Sequence, residues 1–143
     1  MIRNVAGIKI EGVILIGDGE PDLQGDAILI DGVQLPKDGV MLPVTMDFST
    51  KLDDHVGVAT IKKVDKTVVC EGFIFGKLDC LVPFLRLEKI FGAPSGKIFH
   101  RIGHEIHGMS IESIGLVAHH ADLRVPPLKI IDLEKENIPK EEG

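Results

Sequence analysis

Apolar residues in this chain recur mainly at every second position, in short runs bounded by Gly, Asp and Pro. "GIKIEGVILIG" from Gly7 and "DAILIDG" from Asp26 flank the turn-rich "DGEPDLQG", a pattern that predicts two strands around a loop. Further strands are predicted over 40–48 (VMLPVTMDF), 55–64 (HVGVATIKKV) and 67–75 (TVVCEGFIF), with Asp65 and Lys66 connecting the last two tightly. In 55–64, Val56, Val58 and Thr60 alternate with Gly57, Ala59 and Ile61, as in a strand covered partly on both faces. The period then changes. Leu81, Phe84, Leu85, Leu87, Ile90 and Phe91 recur at helical spacing, Pro83 suits a first turn and Gly92 a stop, so one helix is predicted over 80–91. "APSG" reads as a loop. "KIFHRIGHEIHGMSIESIGLVAHH" reads as one or two strands broken near Gly103 or Gly108, and "VPPLKIIDLE" supplies a last strand from Leu128.

Mostly strands with a single helix point to a mainly β (α+β) domain, a curled antiparallel sheet or β-barrel rather than a parallel α/β fold. No linker divides the chain, so one barrel-like domain is expected over 1–134. The charged stretch 135–143 (KENIPKEEG) is expected to be a frayed tail. The 143 residues are enough to bury one real core. With 4% aromatic residues and no Trp or Tyr, that core is expected to be Ile, Val, Leu and Met with the six Phe. A net charge of −6 argues against a nucleic-acid partner, which needs clustered Lys and Arg. Arg3 and Asn4 interrupt any leader-like start, and no apolar run approaches the roughly 18 residues that span a bilayer. Synthesis in a cytoplasm and no membrane partner are expected.

Candidate chemistry is sparse. Cys70 and Cys80 match neither redox nor zinc spacing and read as reduced thiols in or near a core. His100, His104 and His107 would share one side of a helix, but on a strand His107 faces away from the other two. Surface or interface histidines are therefore expected rather than a zinc site. Asp18, Glu20, Asp22 and Asp26 are all oxygen ligands, yet they lack EF-hand spacing and flanking helices, so a solvated acidic turn is expected. Neither a cofactor nor a metal is expected. "GMSIESIG" (108–115) does not have the Gly-x-Ser-x-Gly spacing of a nucleophile elbow, and Ser110 acts as a nucleophile only with a base in reach.

Taken together, three stretches resemble the prohead-protease and herpesvirus-assemblin superfamily. "MLPVTMDFSTKLDDHVGVATIKK" is similar to the segment where a strand ends in the catalytic His. "GMSI" is similar to the nucleophile motif about sixty residues later, and "PDLQGDAILIDGV" to the turn and strand near the start of tailed-phage prohead proteases. The resemblance runs over roughly 7–134 and implies a β-barrel serine protease that cleaves scaffold and capsid proteins as a phage head matures. It places Ser110 on the nucleophile, Asp132 or Glu134 on the orienting acid, and Phe48 on the general base. A phenyl ring accepts no proton, so the Ser–base pair is broken at its centre. The expectation is a catalytically defective member: a decoration or cement protein bound to the major capsid protein as a homo-oligomer or symmetric array in the virion. The alternative is an active maturation protease with a rewired base, His55 or a histidine of the 100–107 group.

Overall fold

The computed structural model describes residues 8–49, 51, 54–75 and 89–132. Ten strands among them form a strongly curled half-barrel sheet. They are β1 (Ile8–Ile16), β2 (Asp18–Pro21), β3 (Ala27–Leu29), β4 (Val33–Gln34), β5 (Leu42–Met46), β6 (His55–Val64), β7 (Thr67–Ile74), β8 (Phe91–Ile102), β9 (Glu105–Val117) and β10 (Lys129–Asp132). Their order is β10-β1-β7-β6-β5-β9-β3-β2, and β4 and β8 join through β9. The mainly β, curled architecture expected from the alternating pattern is the one the chain adopts.

The thirteen-residue β9 organises the sheet. Along one edge it pairs in parallel with β3, β4 and β5 in turn, and along the other it pairs antiparallel with β8. Inside the curl, Ile10, Ile14, Val44, Val68, Ile74 and Ile114 are wholly buried. On β6 the inward face carries Gly57, Ala59 and Ile61 while Val58 and Thr60 are half-buried, the two-sided cover its alternation predicts. Val56 is buried too, because the register slips by a residue between Val44 and Thr45 of the facing strand.

Three expectations are corrected. Residues 80–88 of the predicted helix lie outside the described residues, but Lys89 and Ile90 have no regular structure and Phe91 opens β8. β8 runs through Gly92 and the "APSG" taken for a stop and a loop. These small residues allow close approach: a Cβ on Gly92 would come within 2.9 Å of Ile14 Cγ2 and 3.3 Å of Leu128 Cδ1, so a bare backbone lets β8 close on β1. Pro94 is tolerated because, among the described residues, β8 hydrogen-bonds to β9 alone. Second, β2 forms within the predicted loop "DGEPDLQG". Third, the described core is aliphatic: Phe48, Phe73, Phe75 and Phe99 are exposed and Phe91 is half-buried. The inside of the curl is filled instead by Ile, Val and Leu, whose branched side chains pack well on a pleated surface. The predicted tail 135–143 lies outside the described residues.

Candidate functional site

At the end of β5 the chain turns sharply. Ser49 N–H donates to Met46 O at 2.9 Å and Asp47 N–H to Leu116 O at 3.0 Å. Asp47 and Phe48 both take left-handed backbone angles, with φ of 50° and 61°, a conformation that is costly for a bulky side chain and persists only where packing dictates it. That packing is the Phe48 ring lying on Gly115 of β9: a Cβ there would come within 2.6 Å of Phe48 Cδ1. Thr45 pairs in register with Gly115 on one side and with His55 on the other. Its Oγ1 is buried with no hydrogen-bond partner among the described residues, an arrangement that costs free energy unless something else compensates. Beside the ring opens a cleft of about 470 Å³ walled by Met46, Phe48, Ile90, Leu116 and Val117, with His119 at its margin.

Ser110 lies elsewhere. Its neighbours across β9 are Gln34 on β4 and Lys97 on β8. Five positions along the strand separate it from Gly115, or roughly 16 Å at the usual rise. The structure therefore does not bring Phe48 and Ser110 together, although the resemblance implies adjacency for base and nucleophile. His55 sits two strands from β9 at the Gly115 level. His107 directs Nε2 to Glu105 Oε1 at 3.1 Å, and its ring lies 5.6 Å from that of His100 across the β8–β9 hairpin. Asp132 pairs with Ile8, at one end of a row that runs through Ile74, Gly57 and Val44 to Ile114. It is five strand spacings from β9, roughly 24 Å along the sheet. Glu134 lies outside the described residues.

The acidic turn and the histidines find other uses. Asp22 Oδ1 accepts from Gln24 N–H and Asp26 N–H at 2.8 and 3.0 Å, while Asp26 pairs with Arg101 at 2.7 Å. Sequence reasoning missed Arg124. Its guanidinium grips Asp18 through two contacts, of 2.6 and 3.1 Å, and Asp122 through two more, of 3.1 and 2.9 Å. Nothing in the local sequence around Arg124 announces this fork, because its Asp18 partner is far away in the chain. Hydrogen bonds from Arg124 hold the Asp18 carboxyl below its ordinary value. Burial alone would push Asp122 up, but the same guanidinium outweighs it and keeps Asp122 low. The two carboxylates in turn raise Arg124. Alongside, His120 Nδ1 accepts from Asp122 N–H at 3.0 Å, so Nε2 carries the proton donated to Ile14 O at 2.8 Å. This network ties β1, β2 and the 118–125 loop together.

Among the described residues, no group of three or more His, Cys, Asp and Glu side chains is arranged to hold a metal ion. Cys70 is buried on β7 and desolvation pushes its thiol up to about 12, which leaves no reactive thiolate near neutral pH. Cys80 lies outside the described residues. No helix among the described residues is long and apolar enough to cross a membrane. Compared with known proteins, the chain matches no family model and no curated protein.

Proposed function

We propose that this chain is a non-catalytic structural protein of a phage virion, a decoration or cement subunit that docks on the major capsid protein in a symmetric array. The observation that carries this reading is Phe48. At the position where the resemblance expects an imidazole stands a ring that accepts no proton, seated on Gly115 and roughly 16 Å along the strand from Ser110. The aliphatic core is built from other residues, so a sheet of this kind survives without its chemistry. Many copies of a modest interface on a lattice add up through avidity, which suits a small acidic domain with several exposed aromatic side chains.

Quantitative mass spectrometry of purified mature particles tests the reading. Copy numbers comparable with those of the capsid protein are expected, and absence or a handful of copies rejects it. In parallel, the purified chain is incubated with scaffold and capsid proteins. Cleavage that disappears in Ser110→Ala would replace this proposal with the maturation protease.

A further inference from the structure

The outer edge of β8 is unlike the rest of the sheet. Its first residues are folded in, with Gly92 against Ile14 and Leu128. At Gly96 the strand lies so close to β9 that a Cβ would collide with Ser110 O. Beyond it every residue through His104 is exposed, and along this arm β8 pairs, among the described residues, with β9 only. Three large apolar side chains stand in solvent here: Ile98 at 46%, Phe99 at 58% and Ile102 at 56% exposure. Phe99 is held by its ring lying over Gly108, where a Cβ would approach within 2.4 Å. Unpaired main-chain groups flanked by exposed apolar side chains make a template for another extended chain.

Charge selects the occupant. In a chain of net charge −6, residues 89–104 contain Lys89, Lys97 and Arg101, with His100 and His104, and no Asp or Glu. Arg101 is already neutralised by Asp26, whereas Lys97 forms no ion pair among the described residues. Two copies of this basic edge repel one another, as protective lysines on natural edge strands do. An acidic strand is attracted.

We propose that residues 96–102 of β8 are a docking strand for an extended, acidic segment of a partner protein. That segment adds to the sheet through main-chain hydrogen bonds, and its apolar side chains meet Ile98, Phe99 and Ile102. This holds whether or not the partner is a capsid protein, so it stands or falls separately from the particle copy number.

The test titrates the full chain, ¹⁵N-labelled, with a capped octapeptide of alternating valine and glutamate, and separately with its valine–lysine counterpart. Amide shifts confined to 96–102 are expected with the acidic peptide only. They should weaken as salt rises and lose about five- to tenfold in affinity in Lys97→Glu, an exposed change that leaves the fold's circular dichroism unaltered. No shifts at millimolar acidic peptide, equal binding of the lysine peptide, or shifts centred on the Phe48 cleft would overturn it. So would concentration-dependent shifts at 96–102 without peptide, which identify a second copy as the occupant.

Discussion

If the Phe48 ring rests on Gly115, the sign of a Gly115→Ala substitution depends on what occupies position 48. With Phe48 present, the new methyl comes within 2.6 Å of the ring, which must swing out. The ring is 40% exposed, so about 60% of a side chain of roughly 200 Å² is buried, near 120 Å². At about 25 cal/mol/Å² this is worth at most ~3 kcal/mol, or ~2 once the unfolded chain's own burial is allowed for. Gly→Ala returns about 0.7 kcal/mol by restricting the unfolded chain, and Gly115 has no left-handed angle to forbid it. Net destabilisation of about 1 kcal/mol is expected. In a Phe48→Asn background, where asparagine tolerates the left-handed turn and the ring is gone, the same substitution should stabilise by about 0.7 kcal/mol. Urea denaturation of the four proteins, followed by circular dichroism, gives the coupling, about 2 kcal/mol. Effects that agree within about 0.5 kcal/mol in the two backgrounds mean additivity and refute the placement of the ring.

Other outcomes follow from the same geometry. Phe48→His restores an imidazole on Gly115 and not beside Ser110, so no Ser110-dependent peptide hydrolysis should appear; its appearance in a fluorogenic peptide assay contradicts the register of β5 on β9. Leu128, 1% exposed and wedged between Gly12 and Gly92, should cost about 3 kcal/mol when cut to Ala, or roughly 9 °C in Tm by calorimetry; a loss under about 1 kcal/mol means that the gap between β1 and β8 is not tightly packed. Arg124 holds Asp18 and Asp122 low. Carboxyls depressed on folding contribute stability in full above their unfolded value near 4, and that contribution fades as pH falls through the lowered folded values. Arg124→Gln should therefore be destabilised at pH 7 and converge with the parent near pH 2, as followed by thermal melts across pH; a constant gap assigns Arg124 no role in those shifts. Cys70, raised to about 12 by burial, should resist iodoacetamide at pH 8 in the native chain and react on denaturation, as mapped by peptide mass; rapid native labelling there would place it outside the core.

How much of this was legible in the sequence depended on whether the signal was local. The strands at 55–64 and 67–74 follow from alternation and from the Asp65–Lys66 connection, and both stand within a residue of where the pattern puts them. Gly92 to Gly96 misled because a small residue has two physical readings, turn and close approach, and only the facing partner decides. Ile14 and Leu128 on one side and Ser110 on the other decide for approach. The exposed phenylalanines were illegible for a related reason, since side-chain type predicts burial only where the space on offer suits its shape.

The candidate site was harder, because a constellation of catalytic residues is a statement about register. Phe48 and Ser110 lie in segments that resemble a base strand and a nucleophile strand, yet proximity depends on which residues of β5 and β9 pair. Val44 faces Ile114, Thr45 faces Gly115 and Met46 faces Leu116, which carries the end of β5 past Ser110 by six positions. Along β9 the pairing with β8 also slips three times, between Ser95 and Gly96, Ile98 and His100, and His100 and Arg101. Each slip changes which side chains share a face. One of them, near His100, accompanies the approach of His100 to His107, which uninterrupted alternation along one strand would have put on opposite faces. A motif carries residue types and spacing along the chain, but bulges and offsets between strands set distance in space. On its other edge β9 pairs Ser110 with Lys97, at the root of the exposed arm.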